Sequence, residues 1–134
     1  HLAKALAPSM MKRRTGNFIA LGGLASMTSQ PQRAHVVASK SGLYGLIKSL
    51  ALELGPYGIR ANLIALSVIV NKRLNPEWYP EGKGDPRTNA DIESTALKRE
   101  GTREEVANVA LFLASEQSSY VTGDRIICAG GKYM

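Results

Sequence analysis

The sequence predicts an α/β fold, a doubly wound parallel sheet of which this chain gives the C-terminal part. Two observations carry that prediction. Segments with apolar residues at helical spacing alternate with short apolar runs bounded by glycine, and the order reads helix, strand, helix, strand, irregular segment, helix, strand. Alternation of this kind argues for parallel strands joined by right-handed helical crossovers.

In the first element Leu2, Ala5, Leu6 and Met10 recur at helical spacing, and Thr15, Gly16 and Asn17 break the pattern. Phe18, Ile19, Ala20 and Leu21 then form a short apolar run, read as a buried strand that Gly22 and Gly23 end. A loop containing Pro31 leads to a second periodic segment beginning near Arg33 or Ala34. Its apolar positions Leu43, Leu46, Ile47, Leu50 and Leu54 step by three and four, which predicts a helix of about five turns with one apolar stripe. Ala38, Gly42, Gly45 and Ser49 make a second face without bulk. Glycine inside a helix costs roughly 1 kcal/mol relative to alanine, so two of them point to close approach of another backbone. That backbone is either a strand of the same domain or a helix of a second subunit.

Gly55, Pro56, Tyr57 and Gly58 end the helix, and 59–66 reads as a strand with Arg60 and Asn62 as its strongly polar members. Residues 67–101 look irregular, with Pro76, Pro80, Pro86 and the aromatic pair Trp78 and Tyr79, and are expected to form a lid or insertion within the single domain 1–134. Thr102 with Glu105 three residues on is a capping box, followed by the apolar face Val106, Val109, Ala110 and Leu113. The last strand is the run from Arg125 to Ala129, closed by Gly130 and Gly131. Three strands make a poor parallel sheet alone, since such sheets need covered faces and paired edges.

A chain of 134 residues fits one domain. It opens on His1, inside a helical pattern, and is expected to begin partway through a longer chain. No apolar run approaches the ~18 residues of a membrane-spanning helix, no secretory signal is visible, and the lone Cys128 has no internal disulfide partner. A reducing, cytoplasmic setting is expected. The net charge of +6 invites a nucleic-acid reading, supported locally by Lys12, Arg13 and Arg14. Those three lie at the end of the first helix, where cations complement the carbonyl-rich terminus, and no aromatic residues interleave with them to stack bases. Nucleic acid is therefore not expected as a partner, and no metal site is expected.

Ala38, Ser39, Lys40, Ser41, Gly42 and Leu43, with Ala51, Leu52, Glu53 and Leu54 and then Pro56, Tyr57, Gly58, Ile59, Arg60, Ala61 and Asn62, resemble the central helix and following strand of the short-chain dehydrogenase/reductases. Gly101, Thr102, Arg103, Glu104, Glu105, Val106 and Ala107, then Phe112, Leu113, Ala114 and Ser115, then Tyr120, Val121, Thr122 and Gly123, and finally Gly130 and Gly131, resemble the family's last helix and strand. The resemblance implies a Rossmann-like sheet and hydride transfer between NAD(P) and a carbonyl or alcohol. It also implies a tyrosine acid/base four residues before a lysine whose ammonium favours the phenolate.

Lys40 holds the lysine place, but Val36 stands where the resemblance puts the tyrosine. The family's substrate-binding serine, thirteen residues before the tyrosine, falls on Gly23; its Pro-Gly pair beside the nicotinamide falls on Leu66 and Ser67; and its threonine falls on Asn71. Candidate substitutes are poor. His35 is turned roughly 100° from the tyrosine position, Tyr44 lies about 12 Å along the axis from it, and Ser26 reads as a turn former. Cys128 reads as a small buried hydrophobe.

The sequence therefore predicts a non-catalytic member of the family, with no cofactor or only weak NAD(P) binding through Lys40. Its expected role is to assemble with itself or with an active oxidoreductase subunit, because the helices and last strand that build the family's interfaces are kept. The alternatives are an NAD(P)-dependent oxidoreductase with an atypical site, and a ligand-binding protein that retains the cleft.

Overall fold

A computed structural model describes residues 1–29, 31–70 and 86–132. Trp78 and Tyr79, proposed as part of the lid, lie outside the described residues, as do Tyr133 and Met134. The described chain runs α1 (Leu2–Arg13), β1 (Gly16–Leu21), α2 (Ala34–Leu54), β2 (Ile59–Leu66), α3 (Pro86–Glu93), α4 (Arg103–Ala114) and β3 (Arg125–Cys128). Every predicted helix and strand is present. The sheet has the order β1, β2, β3, and both pairings are parallel, with Leu21 opposite Ile64 and Leu66 opposite Cys128.

Side chains alternate across a strand, and the alternation sorts β2 into two chemically distinct faces. Ala61, Leu63 and Ala65 join Ile47 and Ala51 of α2, with Leu24 and Ala129, in the main apolar core. On the other face Arg60 donates to the carbonyl oxygens of Leu113 at 2.9 Å, Ser115 at 3.1 Å and Val121 at 3.3 Å. The end of α4 therefore lies on the side of the sheet opposite α2, which makes the sheet doubly wound. Asn62, on the face of Arg60, is fully buried and satisfied: its amide donates to the Val121 carbonyl and its oxygen accepts from the Asp124 N–H.

Three details differ from the sequence reading. Leu46 is 51% exposed, so the buried stripe of α2 runs through Leu43, Ile47, Leu50 and Leu54 without it. Gly42 and Gly45 do not meet the chain's own sheet, since a Cβ on either would find nothing within 4 Å. Within 67–101 the helix α3 replaces irregular chain, opening on Pro86, whose fixed φ suits a first helical position. The basic residues at the end of α1 behave as expected of a helix terminus. Arg14 caps α1 in the left-handed conformation and its guanidinium donates to the Pro56 carbonyl. No helix among the described residues is long and apolar enough to cross a membrane.

Candidate functional site

Parallel strands leave their carboxyl ends on one edge, and ligands of open α/β sheets bind outside that edge. Gly23 follows the end of β1, Leu66 ends β2 and Cys128 ends β3. The chain crosses back from β1 to β2 through α2, so the first turns of α2, with Val36 and Lys40, start from the same edge. The 3-10 turn Leu24–Ser26 packs against α2 and ties the loop to that helix. Four of the sequence-predicted positions, Gly23, Val36, Lys40 and Leu66, thus gather at one end of the sheet.

Val36 and Lys40 are four residues apart and share a helix face, and both are half-buried. Among the described residues no hydrogen bond or ion pair holds the Lys40 ammonium. Gly23 has extended backbone (φ −177°, ψ 162°), a conformation open to any residue. Its carbonyl accepts from the Ser26 hydroxyl at 2.8 Å and the Ser26 N–H at 3.0 Å. The Ser26 hydroxyl is therefore committed to a turn, as the sequence suggested.

Beyond Leu66 the chain stays anchored. Ser67 is half-buried, Gly101 donates to the Val68 carbonyl at 2.9 Å, and Val70 donates to the Gly101 carbonyl at 2.9 Å. That bridge joins the segment after β2 to the start of α4. Asn71 lies outside the described residues.

Of the remaining candidates, Cys128 sits opposite Leu66 at this edge, and His35 and Tyr44 lie on α2. His35 is exposed. Tyr44 packs against the α2-side core with the Lys48 and Arg125 cations 4.9 Å and 4.4 Å from its ring centre. Cys128 is half-buried rather than fully buried, and burial first, then the Glu105 carboxylate, pushes its thiol pKa up; a neutral thiol is a poor nucleophile. No group of three metal-ligating side chains occurs among the described residues.

Two features of this edge have no local signature in the sequence. Arg99 forms a two-pronged pair with Glu105, at 3.0 Å and 2.6 Å, while Glu105 also accepts the Thr102 N–H at 2.7 Å. The Arg99 hydrogen bond, then the Thr102 N–H, hold the Glu105 carboxyl down at about 2. Asp91 of α3 pairs with Lys132 beyond β3.

A family model described as Enoyl-(Acyl carrier protein) reductase matches residues 1–132. The chain is 36% identical over 137 residues to the 3-oxoacyl-[acyl-carrier-protein] reductase FabG of Buchnera aphidicola subsp. Acyrthosiphon pisum (strain APS), covering 100% of this chain and 52% of that protein. It is 36% identical over 131 residues to Dehydrogenase/reductase SDR family member 4 of Bos taurus, covering 97% of this chain and 45% of that one. Among solved structures, a 3-oxoacyl-[acyl-carrier protein] reductase with bound NAD from Brucella melitensis is similar with a TM-score of 0.83 and 38% identity, over 99% of this chain and 47% of that chain. Acetoin dehydrogenase YohF from Salmonella typhimurium is similar with a TM-score of 0.79 and 31% identity, over 97% of this chain and 48% of that chain. The chain spans about half the length of these relatives.

Proposed function

The chain belongs to the short-chain dehydrogenase/reductase family, and on that premise we propose that it forms part of an NAD(P)-dependent oxidoreductase acting on a carbonyl or alcohol group. The observation that carries this reading is likeness to named reductases across the whole chain, with Lys40 kept at the carboxyl edge of the sheet. The Lys40 ammonium and the space at Gly23, both open among the described residues, fit a nicotinamide nucleotide at that edge. Such a cofactor, when bound, would exchange the hydride. This chain's part is to hold the substrate oxygen and move its proton, and here it departs from the resemblance. Val36 has no proton to give, and Gly23 has no hydroxyl to bind the oxygen. A missing general acid costs on the order of 10²–10⁴ in rate, so the reaction would be slow, with water beside Lys40 delivering the proton.

Val36 and Gly23 equally favour a second reading, the non-catalytic subunit that assembles with itself or with an active oxidoreductase of the family. In either case we propose an oligomer built on the outer face of α2, where Gly42 and Gly45 stand open. The lone half-buried Cys128 suits a reducing cytoplasmic setting. Turnover of the full-length protein with a 3-oxoacyl thioester or a simple ketone and NADH or NADPH separates the readings. Activity above buffer that disappears in Lys40→Ala supports the oxidoreductase, and its absence with both cofactors leaves the non-catalytic subunit.

A further inference from the structure

Helix α3 is lightly held by its own packing: of its described side chains Asn89, Ala90 and Glu93 are exposed, and Asp91 and Ile92 are only half-buried. Among the described residues, Gly130 and Lys132 after β3 attach it and the turn that follows it. Gly130 (φ 57°) and Gly131 (φ 77°) are both left-handed, a conformation glycine adopts without strain, and together they turn the chain after β3 back toward α3. At that turn the Gly130 carbonyl accepts the Leu97 N–H at 3.1 Å, and the Lys132 ammonium pairs with the Asp91 carboxylate. Thr95, only 2% exposed, fills the space beside Gly130, and Lys98 donates to the Glu93 carbonyl at the end of α3.

We propose that the turn formed by Gly130, Gly131 and Lys132 is a strap that fastens α3 to the carboxyl edge of the sheet, with the ion pair between Asp91 and Lys132 as its salt-sensitive clasp. The clasp is sensitive because its side chains remain 46% and 22% exposed, where counterions screen an ion pair. The strap acts on the edge where ligands of such sheets bind, and it holds whether or not the chain turns over a substrate.

Amide hydrogen exchange in the full-length protein tests it at the N–H groups of Ser94, Thr95 and Leu97, which are bonded to Ala90, Ile92 and Gly130. Exchange there should quicken roughly two- to five-fold in Lys132→Gln, the range expected of a half-exposed pair. It should quicken similarly in the wild type as salt rises from about 0.01 M to about 1 M and the screening length falls from about 30 Å to about 3 Å. The Leu63 amide in β2 should not respond, and the reversed pair Asp91→Lys with Lys132→Asp should restore slow exchange. Rates at the three amides that ignore either the substitution or the salt would overturn the proposal. If Lys132→Gln fails to fold, the salt series on the wild type decides alone.

Discussion

Among the described residues, a Cβ placed on Gly23 would touch nothing nearer than the Leu66 carbonyl oxygen, 3.7 Å away. A Cβ on the adjacent Gly22 would instead lie 2.6 Å from Cδ2 of Leu63 and 2.9 Å from its Cγ, and Leu63 is fully buried. The two glycines at the end of β1 thus differ in kind: Gly22 is required by packing and Gly23 is not. Gly23→Ser is expected to change stability by no more than about 0.5 kcal/mol. Gly22→Ser should cost about 1–3 kcal/mol, because Leu63 has no room to yield. Urea melts of the two variants check this, and equal losses would contradict it.

The same space allows a test of the proposed activity. In the full-length protein, Val36→Tyr with Gly23→Ser should raise turnover, and Val36→Tyr should supply most of the gain, on the order of 10²-fold. The gain should vanish when Lys40→Ala is added, because an unaided phenol titrates near 10 and needs the ammonium to favour its ionised form. Leu66 and Ser67, standing where the family resemblance puts a Pro-Gly pair, should keep the repaired protein slow. A double variant that folds and shows no gain would place the defect in cofactor binding.

What the sequence showed of this molecule depended on how local each signal was. Thr102 and Glu105 are three residues apart, and both arms of their capping box are formed, at 3.1 Å and 2.7 Å. Periodicity makes the stripe on α2 one residue too wide, because Leu46 sits roughly 100° around the helix from Ile47 and spacing alone does not mark where burial ends. Helix α3 carries the local signal of Pro86 at its start, but its tether, Asp91 to Lys132, spans 41 residues and has no sequence signature. The positions of Val36, Lys40 and Gly23 were legible only through the family resemblance. Spacing alone does not bring a strand end beside a helix start.

Acid should expose the Glu105 clamp. Its carboxyl is held at about 2 in the folded chain, against an ordinary value of 4.5. A depressed folded pKa contributes stability that is present above about 4.5 and is lost as pH falls toward about 2. The melting temperature of wild type relative to Glu105→Gln should therefore be higher near neutral pH and converge with it as pH falls through that window. A difference that stays constant from neutral pH to about 2 would contradict the clamp.

Asn62 offers a measure of the sheet's polar seam. Its two hydrogen bonds, 2.8 Å to the Val121 carbonyl and 3.1 Å from the Asp124 N–H, hold the entry to β3 against β2 with no exposure to water. Asn62→Ala leaves the Asp124 N–H without its partner and the Val121 carbonyl with the Arg60 guanidinium alone, and should cost about 1–2 kcal/mol. Chemical denaturation gives the number, and a loss below about 0.5 kcal/mol would mean that water replaces the amide.

Gly45 separates an interface from a bare surface. On a solvent-facing helix, Gly45→Leu should stabilise the protein by roughly 0.5–1 kcal/mol, because glycine is the poorer helix former. Among the described residues a Cβ there meets no atom of another element within 4 Å. If a second subunit lies on this face, the added bulk instead meets the partner's backbone, since helices approach to about 8 Å only across short side chains. The expected outcome is therefore a split: helical content unchanged or slightly raised, and association weakened on dilution. Ser49, whose hydroxyl donates to the Gly45 carbonyl at 3.2 Å, lies one turn further along the same strip, and Ser49→Leu should act in the same direction. Sedimentation velocity of the full-length protein, wild type against both variants, reads the association directly. A monomeric wild type, or variants that associate as wild type does while melting at higher temperature, would show that the strip faces water.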